Sequence, residues 1–446
     1  YSGTGVFGTA ETPVAGVGIS ANSTFHTTLN APIFVNRVNL FAGGFINSNH
    51  ITLGSGGTST TVVQIGSTGL TTPGGSFDVS PVHNQGSGGQ VLLYAFETAP
   101  RTTGFEINPT RIVTNINLID NPNGVTLEGG DLTLTSTAAA LVLTNGRFIT
   151  GDNTVILSSP SATVSRTNGY VDGNLRKAYG AAGNKTFEVG TANGYSPVSV
   201  NVTAGTFPTQ VTAKAVQSAH PSIPSPSKAL ERYWALTGTD ITADLTFNYL
   251  DEDVPATANE DDFVIMKYDG AFTQPGGTVN TGSNTATITG VTSLSDWTLA
   301  ETGALEAPGA LQFDNATYSV DESGPVATIT VTRTGGSDGA VSVDYATVAG
   351  GTANGGASCG AGVDYVTTSG TVSFVDGDDA PKTFNVPICD DPDVEGDETV
   401  NLELTNATGG ATIGTPSTAV LTITDNDTAS GPVTVTASAG TTSGTY

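Results

Sequence analysis

Six carboxylates crowd into nine consecutive positions: Asp390, Asp391, Asp393, Glu395, Asp397 and Glu398. Charges packed this tightly repel one another strongly unless water screens them or a cation neutralises them. Further acids flank this run in the sequence as Asp321-Glu322, Asp364 and Asp425-Asn-Asp427, and Ala310–Asp427 holds eighteen acidic residues against two basic ones, Arg333 and Lys382. Carboxylate-rich flexible loops suit a hard divalent ion, because calcium takes six to eight oxygen ligands at about 2.3–2.6 Å. The competing account is an acidic rim that is merely solvated.

Other chemistry is poorly supported. Asp251-Glu-Asp253 with Glu260-Asp261-Asp262 would make a second cation site or simply two acidic turns. Paired carboxylates also serve glycosidases, but here they lack an aromatic-rich cleft. No Gly-x-Ser-x-Gly elbow occurs, and His83 in Pro-Val-His-Asn reads as a turn or surface residue. Gly54-Ser-Gly-Gly and Gly86-Ser-Gly-Gly lack the Lys-Ser/Thr of a phosphate loop and read as turns.

The elements that must position the acids are β-strands. Gly 57 and only 12% charged residues leave few amphipathic helices, while 37% hydrophobic residues suffice for packed cores. Short alternations such as Val38-Asn-Leu40, Ile51-Thr-Leu53, Leu132-Thr-Leu134 and Leu141-Val-Leu143 put one set of side chains inward and the other outward. The expected class is all-β. A net charge of −27 repels nucleic acid and anionic lipid, and the longest apolar run, Ala138–Leu143, is far short of a membrane span. No nucleic acid and no membrane insertion are expected. The start at Tyr1 reads as a mature or processed piece of an exported chain. Two cysteines, Cys359 and Cys389, cannot complete a zinc site without histidines. They read as one disulfide, or as two unlinked small core residues.

Length allows three or four domains. Residues 1–175 read as a β-rich solenoid or sandwich-like region, with Asn121–Leu157 suggesting stacked rungs. Residues 176–302 read as a small β-sandwich with Trp234 and Trp297 in its core, and 303–309 as a linker. Asp120-Asn-Pro-Asn-Gly-Val-Thr-Leu, Leu143-Thr-Asn-Gly, Tyr170-Val-Asp-Gly-Asn-Leu-Arg-Lys, Phe187-Glu-Val-Gly and Ser295-Asp-Trp-Thr-Leu-Ala resemble modules of large secreted or cell-surface bacterial proteins of Bacteroidetes-like type. That resemblance implies a surface location and no particular activity.

The segment 310–427 carries a more specific likeness. Val320-Asp-Glu-Ser-Gly, Gly362-Val-Asp-Tyr, Ser369-Gly-Thr-Val-Ser-Phe, Asp391-Pro-Asp-Val-Glu-Gly-Asp-Glu and Leu421-Thr-Ile-Thr-Asp-Asn-Asp resemble a Calx-β domain, in the family's order. The resemblance implies a seven-stranded, immunoglobulin-type sandwich with calcium held at one end. It also implies ligands at Glu322, Asp364, Asp391, Glu395, Glu398, Asp425 and Asp427. Asp393 falls where the family can use a main-chain carbonyl, and Asp390 and Asp397 are expected to face solvent or the groups behind the ligands. A Cys359–Cys389 disulfide would brace that end.

Beyond Asp427, Val433, Val435 and Ala437 alternate as one more strand would. Such a strand begins a removed domain, stays disordered, or pairs with an edge of a neighbouring copy to build head-to-tail fibres. The expected function is a non-enzymatic extracellular structural protein, as stalk, adhesin, or subunit of a filament or surface layer, with calcium stabilising its C-terminal module. A surface binding protein for a carbohydrate or protein ligand, or the non-catalytic region of a secreted hydrolase, is the alternative.

Overall fold

The computed structural model describes residues 99–429 without a break, Gly431, most positions between 32 and 95, and 17–19 and 27–29. Among them the regular structure is β, relieved only by 3-10 turns of three or four residues, and no helix is long and apolar enough to cross a membrane. The chain divides into two units, Tyr1–Ala304 and Leu305–Tyr446. Val433, Val435 and Ala437 lie outside the described residues.

The first unit begins as parallel strands stacked one above another. Val38, Val63, Leu92, Ile116, Leu141 and Val164 stand in register in successive strands. The first five of these side chains are fully buried, because the period-two pleat points alternate residues into the stack. A second column runs through Arg101–Thr102, Val125–Thr126, Arg147–Leu157 and Tyr170–Tyr179. The turns are tied across rungs: Asn145 Nδ2 donates to Asp120 Oδ1 at 2.7 Å, and Asn168 Nδ2 to Asn145 Oδ1 at 3.3 Å. Gly146 turns the chain there at φ +75°, and a Cβ would lie 1.8 Å from the Asn121 carbonyl oxygen, so no other residue fits.

Strand Tyr170–Tyr179 pairs in parallel with Arg147–Leu157 and, on its other edge, antiparallel with Thr209–Val216. One sheet therefore passes from stacked rungs into an antiparallel sandwich, continuing through Ala229–Thr237, Asp296–Glu301 and Phe263–Tyr268. Facing it lie Gly183–Phe187, Val198–Gly205, Ile241–Asn248, Thr285–Val291 and Thr278–Asn280. The boundary expected at 175/176 falls inside a strand, and one continuous core runs from Ile33 to Leu299. Trp234 and Trp297 flank Phe247 in that core, at centroid distances of 5.0 and 5.8 Å, and Trp234 Nε1 donates to the Ser196 carbonyl. Truncating either indole would cost on the order of 3–5 kcal/mol.

Asp253 is not available to a cation. It is fully buried against Arg232, whose Nε donates to Oδ2 and whose Nη2 donates to Oδ1, the Gln217 amide oxygen and the Thr191 hydroxyl. Glu260 accepts the Tyr249 hydroxyl at 2.6 Å. The two acidic segments are 3-10 turns closed by their own partners. The expected linker 303–309 is also divided. The Ala304 carbonyl accepts from Ser225 N–H in the first unit, whereas Ala307, Pro308 and Gly309 accept from Asp338, Arg333 and Thr412 in the second.

The second unit is a sandwich. One sheet orders Lys382–Pro387, Val326–Thr334, Ala310–Phe313 and Thr412–Ile413; the other orders Thr317–Asp321, Thr418–Thr424, Glu398–Thr405, Val341–Val348 and Ser369–Phe374. Its core is filled by Leu311, Phe313, Ile329, Val331, Val343, Leu402, Leu421 and Ile423. The chain leaves the first sheet at Phe313 and joins the second at Thr317. Taken as one sheet-switching strand, with the two-residue edge at Thr412 set aside, this gives the seven strands implied by the sequence.

Candidate metal centre

Strand register brings the acids together. Thr317–Asp321 runs parallel to Thr418–Thr424 with Asp321 opposite Thr424, so Glu322 and Asp425 leave the sheet side by side. Glu322 N–H donates to the Thr424 carbonyl at 3.0 Å and fixes that exit. Glu398–Thr405 runs antiparallel to the same strand with Glu398 opposite Ile423, which starts it at the same end. Asp364 precedes Tyr365, which bridges Ile388, and the Asp364 carbonyl accepts from Cys389 N–H at 2.9 Å. Asp391 follows two residues later.

Three overlapping groups of carboxylate oxygens result, each within 4.8 Å: Glu322–Asp425–Asp427, Glu322–Asp391–Glu395 and Asp364–Glu395–Glu398. Glu322 and Glu395 each belong to two groups and stand where a bridging ligand would. These groups bring together the seven side chains that the resemblance implies as ligands. Asp393 is exposed and joins none of the groups; its N–H donates to Asp391 Oδ1 at 2.9 Å. Asp390 and Asp397 are exposed.

Asp425 both faces the cluster and holds the loop. Its Oδ2 accepts from Glu395 N–H (3.0 Å) and Gly396 N–H (2.8 Å), and its Oδ1 from Asp427 N–H (2.8 Å). These donors, the Asp427 N–H foremost, hold its carboxyl below the usual range. Its neighbours move the other way. Burial, then a hydrogen bond with the Asp364 carboxyl and the charges of Asp364, Glu395 and Glu322, push Glu398 up to about 7. Burial first, and neighbouring carboxylates after it, also raise Glu322, Glu395 and Asp427.

Among the described residues of the second unit, no cationic side chain joins these groups. Val326 pairs with Pro387 at the acidic end and Val331 with Lys382 further along, so Lys382 and Arg333 belong to the opposite end of the sandwich. There Lys382 Nζ sits 2.7 Å from Asp378, and Arg333 donates to main-chain carbonyls of Pro308, Asp338, Gly339, Val375 and Asp378. Two carboxylates ~4 Å apart repel by about 4 kcal/mol at an effective dielectric of about 20, and several such pairs coexist here. Asp427 Oδ2 is buried with no hydrogen-bond partner. An all-oxygen donor set with an orphaned carboxylate oxygen fits a hard divalent cation, and its irregular, multi-loop geometry suits calcium better than octahedral magnesium.

Asn354 was not legible as part of this end. Its N–H donates to Asp364 Oδ2 at 2.6 Å, from a short parallel pairing of Gly355–Gly356 with Tyr365–Val366. The only sequence signal was an Asn-Gly-Gly turn. Cys359 and Cys389 form a disulfide, with Cα atoms 5.4 Å apart.

Residues 306–427 match the family model of the Calx-beta domain. Solved structures similar to this segment include the apo-form Calx CBD1 domain, at 30% identity, covering 26% of this chain and 97% of that one (TM-score 0.23). CBD12 from CALX1.2 is 31% identical, covering 26% of this chain and 45% of that one (TM-score 0.24). No curated protein matches the chain.

Proposed function

Through residues 306–427 the chain belongs to the Calx-beta family, and on that premise we propose that calcium binds among Glu322, Asp364, Asp391, Glu395, Glu398, Asp425 and Asp427. The observation that carries the reading is the convergence of seven carboxylates at one end of the sandwich with no cationic side chain among them and one buried oxygen unpartnered. The ion would supply charge neutralisation and cross-linking of strand ends. The residues themselves set its place: Asp425 clamps the 395–396 turn, and Glu322 and Glu395 link adjacent groups. Equilibrium dialysis of the full chain against calcium tests this. Saturable uptake, abolished in a Glu395→Gln/Glu398→Gln variant, is expected; no uptake by the unaltered chain would overturn it.

For the whole chain the reading is a non-enzymatic, exported structural protein, a stalk, adhesin or fibre subunit whose acidic module calcium stiffens. Three observations support it. A disulfide suits an oxidising compartment, the charge of −27 suits a solvated surface, and the first unit carries an unbroken core from parallel rungs into a sandwich. Self-association into fibres or a surface layer belongs to the same reading. Negative-stain electron microscopy with calcium, then with excess EGTA, tests it: separate molecules in both conditions would sink the fibre role and favour a scaffold that presents a carbohydrate or protein ligand.

A further inference from the structure

The disulfide and the candidate cation site share the same two chain segments. Cys359 lies five residues before Asp364, and Cys389 two before Asp391. These aspartates belong to different carboxylate groups, joined only through Glu395. The segment bearing Asp364 is rich in glycine. Between 351 and 364 it carries five glycines, and positions 357–362 are exposed. Its non-covalent ties lie on either side of that exposed stretch: Thr352 and Ala353 bond to Thr399, Gly355–Gly356 pairs with Tyr365–Val366, Asn354 and Asp364 bond to each other, and Cys389 N–H donates to the Asp364 carbonyl. Without the cross-link, the exposed 357–362 stretch would lose its covalent anchor to the Cys389 segment, and non-covalent contacts would have to hold Asp364 against the neighbouring carboxylates.

We infer that the Cys359–Cys389 disulfide is a positioning element of the cation site, so that calcium affinity and the thiol–disulfide equilibrium of this pair are linked. The inference rests on the calcium reading above. Reduction by a dithiol opens the cross-link to two thiols while the dithiol closes to its own cyclic disulfide. Asp364 and Asp391 then lose their fixed separation. Linkage makes the effect reciprocal: if the reduced form binds calcium more weakly by some factor, calcium makes the disulfide harder to reduce by that same factor.

The test uses the full chain. Equilibrium dialysis against calcium compares the oxidised protein, the protein kept reduced in dithiothreitol, and a Cys359→Ser/Cys389→Ser variant, with circular dichroism to follow the fold. Affinity is expected to fall on the order of ten- to a hundredfold in the last two forms, as when groups that orient metal ligands are removed. The reciprocal measurement needs no variant: the fraction of disulfide opened at fixed dithiothreitol is read with calcium chloride and with EGTA. Calcium should protect the bond. Equal affinities, or equal reduction with and without the ion, would overturn the inference and leave the calcium reading intact. Absence of uptake by the oxidised chain would overturn both.

Discussion

Glu398 and Asp364 bring carboxylate oxygens within 4.8 Å of each other at the acidic end of the sandwich, so a proton held on Glu398 relieves their repulsion. Glu398 is pushed up from 4.5 to about 7 by burial first and by Asp364 next. A carboxyl raised in the folded state binds its proton more tightly there than in the unfolded chain. The contribution of Glu398 to cation-free stability is therefore fully present below about 4.5 and is lost as pH climbs to about 7. Calcium must displace that proton, so its affinity should rise about tenfold per pH unit below 7 and flatten above it. Dialysis across this range checks the slope, and Glu398→Gln should flatten it, leaving the smaller part due to Glu322, Glu395 and Asp427, and lower the affinity.

Calcium should stabilise one unit and not the other. The two units have separate cores, and the carboxylate groups all lie in the second. At free calcium about a hundredfold above Kd, binding adds about 2.7 kcal/mol to the folded state. Differential scanning calorimetry should show one transition falling in EGTA while that of the first unit stays in place. Joint movement of both transitions would contradict this division.

The acidic end was readable in the sequence because a charge run without basic residues has few uses, and because strand ends carried the remaining acids at recognisable places. The domain boundary at 175/176 was not readable. Tyr170–Tyr179 serves a parallel stack on one edge and an antiparallel sandwich on the other, and its alternation looks the same in both roles. The stack itself is faintly written, since Val38, Val63, Leu92, Ile116, Leu141 and Val164 lie in register at unequal intervals of sequence. The partner of Asp253 was not readable for a different reason: the acidic turns were expected, but Arg232 lies 21 residues away, and an acidic triplet gives no sign of a distant guanidinium.

Arg232→Ala should destabilise the first unit by about 3–5 kcal/mol, because Asp253 would remain buried without a countercharge, keeping only the Gln217 amide and Leu250 N–H as donors. Replacing both residues by apolar ones of similar size, as in Arg232→Met/Asp253→Leu, should cost less than the single change. Urea denaturation of the three proteins measures this. A double variant as unstable as Arg232→Ala would mean that the pair's other contacts, to Thr191 and Gln217, carry the stability instead.

Asp425 and Asp427 stand two residues apart and should respond oppositely to loss of charge. Asp425 is held ionised by three N–H donors, so Asp425→Ala leaves those donors without their acceptor and should lower stability even in EGTA. Asp427 is raised by burial and by Asp425, Asp390, Asp391 and Asp393, and its Oδ2 has no partner. Asp427→Asn removes a charge that its surroundings oppose and places a donor beside carboxylates. It should raise stability in EGTA and lower calcium affinity. Urea midpoints in EGTA and in calcium separate the two effects. An Asp427→Asn protein weaker in EGTA than its parent would mean that this oxygen faces no cation site, because the repulsion assigned to it would be absent.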